Sequence, residues 1–216
     1  MSKYVIHACP QRMWYVDGYL IPSMKIQGID NIVVECDYKQ VGNLLSCMNI
    51  FSHMGEPGGT WHLQDDVIIC RDFKERTEEP TNDIVCGFVV KKDENIKKIG
   101  YVKPENMWWS FPCIHIPNMI ARDCANWFEH ARYRSDYSWM VMTKKYDDSL
   151  FKEFLIKEYP DYSVLNLKPN LVDHVDYLLG GTVINKQRKN KNTRSVWFED
   201  LDLVDELEKK IRGNNG

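Results

Sequence analysis

The stretch Gly58–Phe73, GGTWHLQDDVIICRDF, decides how this chain is read. A glycine turn leads into the apolar Trp61-His62-Leu63, two adjacent carboxylates follow at Asp65 and Asp66, and Val67-Ile68-Ile69 resumes the apolar run. Ionised carboxylates lose more on desolvation than a neighbouring strand returns, so acids wedged between apolar segments need a partner. Two Asp side chains at the end of a buried strand suit a hard divalent cation, Mn²⁺ or Mg²⁺, whose oxygen shell a substrate phosphate completes. The same dipeptide also reads as a polar turn between two strands, with Asp65 capping it.

The segments before this stretch alternate in character. Tyr4–Cys9 (YVIHAC) is a short apolar run ended by Pro10, and Asn31–Cys36 (NIVVEC) is a second one ending in Asp37. Between them Met13–Gln27 has helical spacing, with Pro22 implying a kink or an early stop. Val41–His53 is helical again, with Leu44, Leu45, Met48 and Phe51 on one face. Strand–helix–strand–helix–strand is the pattern of a parallel α/β unit, in which ligands bind beyond the carboxyl ends of the strands. Arg12, Asp37, Asp65 and Asp66 all fall at such ends. Arg12 also reads as a solvated helix start, and Asp37 as a helix N-cap.

Composition bounds the rest. The chain has 216 residues, 44% of them hydrophobic and 12% aromatic, enough for a substantial core and one compact domain. A formal net charge of -3 gives no global basic footprint for nucleic acid. The seven cysteines are an odd number with no CxxC spacing, which indicates neither a zinc site nor a redox pair and fits a reducing compartment. The first residues lack a signal-peptide core and no apolar run reaches bilayer length, so the expectation is a soluble cytoplasmic protein without a membrane span.

Beyond Phe73 the pattern changes. Asp83–Lys91 and Met107–Ile116 read as strands, and the latter carries Trp108 and Trp109, either a stacking platform for a sugar or base or a pair with one ring in the core. Asn118–Tyr133 reads as a helix. Asp147-Asp148 opens another amphipathic helix, where acids serve either as N-caps or as a general base held at the helix terminus. His174 lies beside apolar residues and is flanked by Asp173 and Asp176, as a structural histidine or as a metal ligand. Lys186–Arg194 (KQRKNKNTR) is basic, a solvated loop or one that closes over phosphates, and Leu201–Ile211 is a last amphipathic helix.

Taken in order, these motifs resemble glycosyltransferases of the GT-A fold. Leu63–Val67 (LQDDV) is similar to the EDD variant of their acidic metal motif, with Gln64 where an acid often stands. Lys168–Asn185 resembles the segment that supplies a late metal-binding histidine, and YDDSLFKEFL looks like the acceptor-side acidic motif. The resemblance implies an α/β, GT-A-like single domain over residues 1–185, with a central, mostly parallel sheet flanked by helices. Residues 186–216 then form a basic loop and a C-terminal helix packed on the same domain.

It further implies a nucleoside-diphosphate sugar donor, a UDP-sugar first, and Mn²⁺ or Mg²⁺ held by Asp66 and His174. Asp65 assists at the sugar, Arg12 and Asp37 contact the nucleotide, and Trp109 holds donor sugar or acceptor. Lys186 and Arg188 close over the diphosphate. Asp148, or Asp147, deprotonates the acceptor hydroxyl if the reaction inverts. The acceptor class stays open among glycan, small molecule and nucleic acid. A metal-dependent nucleotidyl or phosphoryl transferase uses the same paired acids, and a non-catalytic nucleotide- or nucleic-acid-binding protein uses the basic tail and the tryptophans.

Overall fold

The computed structural model describes residues 3–55, 57–79, 81–89, 99–107, 111–132, 147–180 and 197–213. The first three apolar runs form β1 (Lys3–Ala8), β2 (Ile32–Cys36) and β3 (Gly59–Gln64), with β1 parallel to both neighbours. Tyr4, Ile6 and Ala8 enter the core on one face of the sheet, and Val5 enters the core on the other. That two-sided burial is why β1 reads as a continuous apolar run rather than an alternating one.

The link from β1 to β2 is a 3₁₀ turn (Pro10–Arg12), a short helix α1 (Met13–Tyr15), a π turn (Val16–Leu20) and α2 (Ile21–Ile26). Pro22 does not stop the helix. A proline ring crowds the carbonyl four residues earlier, here that of Gly18, and the wide π turn lies over that residue. The link from β2 to β3 is α3 (Asn43–Ser52). After β3 the chain turns at Asp65-Asp66 into β4 (Val67–Ile69), which leaves the main sheet.

The second half supplies α4 (Phe73–Thr77), β5 (Ile84–Cys86), β6 (Gly100–Val102), β7 (Cys113–Pro117) and α5 (Asn118–Arg132). It continues through α6 (Asp147–Glu158), β8 (Val164–Asn166), β9 (Val172–His174) and α7 (Leu201–Gly213). The seven-stranded sheet has the order β2-β1-β3-β7-β5-β8-β6, while β4 and β9 form a separate two-stranded sheet. β7 runs antiparallel to β3 and β5, and β6 antiparallel to β8, so the α/β sheet is mixed with a parallel majority.

Two expected strands are shorter than their apolar runs. Asp83–Lys91 pairs in the sheet over Ile84–Cys86, and Met107–Ile116 enters it at Cys113. Beyond Cys86, Asn170 takes over the pairing: its Oδ1 accepts from Val89 N at 3.2 Å and its Nδ2 donates to Val89 O at 3.0 Å. Gly59 is required by packing, since a Cβ there would lie 2.2 Å from His115 Nε2.

Helices cover both faces. α3, α5 and α6 bury Phe51, Phe128, Phe151 and Phe154 on one side; α2, α4 and α7 bury Met24, Phe73, Val204 and Leu207 on the other. Each such large apolar side chain contributes about 1.5–3 kcal/mol. Arg71 fastens the start of α7 through Asp200 (2.7 Å) and Asp202 (2.5 Å). Among the described residues no helix is long and apolar enough to cross a membrane.

Candidate functional site

The carboxyl ends of β1 and β3 lie side by side, which brings Cys9 and Arg12 to the Asp65-Asp66 turn. The turn is polar in sequence and buried in fact, with Asp65 5% and Asp66 4% exposed. Asp65 Oδ2 accepts the Cys9 backbone N–H at 2.7 Å, and Asp65 Oδ1 lies 2.8 Å from Arg12 Nη1. The same Nη1 also donates to Asp66 Oδ2. Arg12 is itself 6% exposed, so one guanidinium is committed to two buried carboxylates.

A histidine reaches Asp66 from the far end of the chain. β4 and β9 pair antiparallel with Val67 opposite His174, and the Val175 N–H donates to Asp66 O at 2.8 Å. This sets His174 Nε2 3.1 Å from Asp66 Oδ2, while His174 Nδ1 lies 3.5 Å from Asp176 Oδ1. The Tyr15 hydroxyl donates to Val67 O at 2.8 Å and fixes the turn from the helical side.

The electrostatics follow from this packing. Burial alone would raise the Asp66 pKa, but His174 and Arg12 outweigh it and hold the carboxyl well below its usual range. Burial and the neighbouring Asp66 charge raise Asp65 against the pull of Arg12. Burial would lower His174, yet Asp66 and then Asp176 raise it above its ordinary value. Burial would also lower Arg12, and the two carboxylates more than reverse that.

One acceptor in this cluster is left over. Asp66 Oδ1 is buried and has no hydrogen-bond partner among the described residues. It belongs to the same carboxylate that faces His174 Nε2. No group of three or more His, Cys, Asp or Glu side chains forms a ready-made cage among the described residues. Mg²⁺-type ions do not need one, since they keep waters and take one or two carboxylates plus phosphate oxygens. Asp66 and His174 are the residues that would hold it.

The second acidic pair sits at the same edge of the sheet. α3 starts just after the carboxyl end of β2, and Asn43 at its first turn donates from Nδ2 to Asp147 Oδ2 at 2.8 Å. Asp147 is buried, and burial together with the Asp148 charge pushes its pKa up to about 7. Asp148 is half-buried, accepts from its neighbour Ser149 N at 2.6 Å, and is raised by burial to about 6.

Asp37 lies just beyond the carboxyl end of β2. Its two oxygens accept from Val41 N at 3.0 Å and Gly42 N at 2.9 Å, tightening the loop that leads into α3. It also lines a cavity of about 590 Å³ with Tyr38, Ser46, Asn49 and Glu129. Trp108, Trp109, Lys186 and Arg188 lie outside the described residues.

Sequence reasoning missed three partnerships: Arg12 with both acids, Asn43 with Asp147, and a histidine pair. His7 Nε2 and His62 Nδ1 are 2.9 Å apart, with His7 lowered to about 4 and His62 well below its ordinary value, both mainly by burial. The one available signal for that pair is that His7 and His62 each interrupt an apolar strand run; the two strands are neighbours in the sheet although β2 lies between them in the chain. No protein-family model matches the sequence, and no curated protein matches it.

Proposed function

We propose that this chain is a GT-A-like glycosyltransferase that moves a sugar from a nucleoside-diphosphate sugar to an acceptor hydroxyl, with Mn²⁺ or Mg²⁺ at Asp66 and His174. The observation that carries the reading is the late histidine brought by β9 onto the carboxylate that ends β3, at 3.1 Å. A separate small sheet aligns the two residues, beyond the carboxyl ends of the parallel strands.

The ion, when bound, neutralises the diphosphate leaving group as a Lewis acid. Arg12 holds the two acids in place and offsets their charge, so its contribution to the diphosphate is through the acids it balances. Cys9 N–H orients Asp65 toward the sugar side of the turn. Asp148, half-buried and raised to about 6, is ionised at neutral pH and takes the acceptor proton if the reaction inverts. Asp147 is fully enclosed and held by Asn43, and it supports the loop and helix starts around that base.

The test is thermal shift against a panel of nucleoside diphosphates and their sugars, with and without Mn²⁺. A ligand that binds the native state alone stabilises it by about 2.7 kcal/mol at a hundredfold excess over its dissociation constant. A Mn²⁺-dependent shift with one diphosphate, absent in Asp66→Ala, is expected. No shift with any donor, or an unchanged shift in Asp66→Ala, removes the transferase reading. Release of pyrophosphate in place of a nucleoside diphosphate would move the chain to the nucleotidyltransferases.

A further inference from the structure

We infer that β2 is the surface through which two copies of this chain associate, pairing antiparallel about a two-fold axis at Val34. Nothing in this surface depends on the metal or the sugar. β2 is an outer strand of the seven-stranded sheet: it pairs with β1 along one edge, and among the described residues no strand pairs with the other. Such an edge presents a row of free N–H and C=O groups, which proteins blunt with proline, lysine, a bulge or a covering element. Ile32–Cys36 holds no proline or lysine, and its unbroken register with β1 leaves no bulge. Ile32, Val33, Val34 and Cys36 are half-buried, and Glu35 is the one exposed side chain of the strand.

The phase of the pairing with β1 decides which groups are free. Asn31 O accepts from Tyr4 N at 3.1 Å and Asp37 N donates to Ala8 O at 2.9 Å, so residues 31, 33, 35 and 37 turn their peptide groups toward β1. Ile32, Val34 and Cys36 turn theirs outward. Two of these outward groups are used within the chain: Ile32 N donates to Asp30 O at 3.0 Å, and Cys36 O accepts from Tyr38 N at 2.8 Å. Ile32 O, Val34 N, Val34 O and Cys36 N remain, with no backbone partner among the described residues.

That remainder is self-complementary. Opposed residues of a hydrogen-bonded antiparallel site exchange both N–H···O bonds, and such sites recur every second residue. With Val34 opposite Val34 of a second copy, the two valines exchange both bonds, and Cys36 N of each copy donates to Ile32 O of the other. Every free outward group is then paired, and the groups already bonded within the chain fall at the outer ends. Centring the pair on Val33 or Glu35 calls on Ile32 N or Cys36 O, both already engaged, and leaves free groups over. Centring on Glu35 also sets two like charges directly opposite, whereas the Val34 register sets Glu35 against Val33. The flanking charges agree: Asp30 and Lys39 are exposed at opposite ends of β2, so the two-fold brings Lys39 of each copy to the Asp30 end of the other. A two-fold pair covers β2 in both copies and closes at two chains.

The full chain is followed by sedimentation velocity over a range of concentrations, with amide hydrogen exchange read residue by residue. A reversible two-chain species is expected, in which the Val34 and Cys36 amides exchange slowly and speed up on dilution. Val34→Pro removes the central outward donor and leaves the bonds to β1, a position where an edge strand tolerates proline. It is expected to sediment as one chain with the Val33 and Glu35 amides still protected. Asp30→Lys, on an exposed residue, is expected to weaken association by about tenfold, and adding Lys39→Asp to restore it.

A chain that stays single at every concentration overturns the proposal, as does a two-chain species whose Val34 and Cys36 amides exchange as fast as those of an open edge. Unchanged association in Val34→Pro, with Val33 and Glu35 still protected, does the same. If Val34→Pro fails to fold, Asp30→Lys decides: unchanged association there overturns the antiparallel register and the interface with it.

Discussion

The same dipeptide occurs twice at one edge of this sheet and is handled in opposite ways. Asp65-Asp66 is buried together with Arg12 and His174, so both carboxylates face a guanidinium, Asp66 also faces an imidazole, and Asp66 is held firmly ionised. Asp147-Asp148 meets an amide and a backbone N–H and, among the described residues, no cationic partner, and both its acids are pushed up, to about 7 and about 6. Burial is shared; the partner differs. A carboxylate held ionised, as Asp66 is, suits an electrostatic anchor, whereas an acid poised near neutrality suits proton transfer.

The contrast is broken most severely at Arg12. Arg12→Ala leaves two adjacent buried carboxylates against one imidazole, and removing one partner of a buried ion pair costs about 3–5 kcal/mol. Urea unfolding at neutral pH checks this, and a loss below 1 kcal/mol would show the cluster to be wetter than its geometry. Next in size is Asp148→Asn, expected to lower turnover by about 100-fold while donor binding by thermal shift is kept. In the unsubstituted chain the rate should rise with pH through about 6, because the base must be ionised. A flat profile returns Asp148 to helix capping.

A smaller effect separates Asp147 from both. Its folded pKa, about 7, lies above its unfolded value, so between that unfolded value and about pH 7 the native state binds more protons and stability falls as pH rises. Asp147→Asn keeps the acceptor for Asn43 and removes the titration. It should flatten this slope and stabilise the protein at pH 8 by about 1–2 kcal/mol, read from unfolding curves at pH 4 and pH 8. The smallest change is Asn43→Ala, which removes one hydrogen bond to Asp147 at a cost of about 0.5–1.5 kcal/mol. If Asn43→Ala cost as much as Arg12→Ala, the two acidic pairs would be equivalent after all.

Much of the fold is legible in the sequence. The runs that became β1, β2 and β3, and the helices α3, α5, α6 and α7, bury whole faces, and burial of a face writes a period into the sequence. β5, β6 and β8 are three residues long, too short for any period, and Asn170 completes the β5 edge with a side chain. His174 was legible through its motif and Asp66 through its apolar setting. The target of Arg12 was not, because a guanidinium suits phosphate and carboxylate equally, and the choice depends on how β1 and β3 align. Asp37 is not the N-cap of α3, a place taken by Gly42; it accepts from Val41 N and Gly42 N in the loop just ahead of that helix.

The pairing of Val67 with His174 also has a consequence in time. The chain is made from its amino end, so Arg12 is in hand when Asp65 and Asp66 emerge, and it can cover both acids as soon as β1 meets β3. His174 arrives after most of the sheet has been synthesised, and β9 must then find β4 across a long loop, a slow kind of closure. Arg12 thus acts as a resident guardian of the acid pair during biogenesis, and the histidine is the last piece fitted. Nascent chains stalled before residue 172 should already protect the Asp65-Asp66 turn.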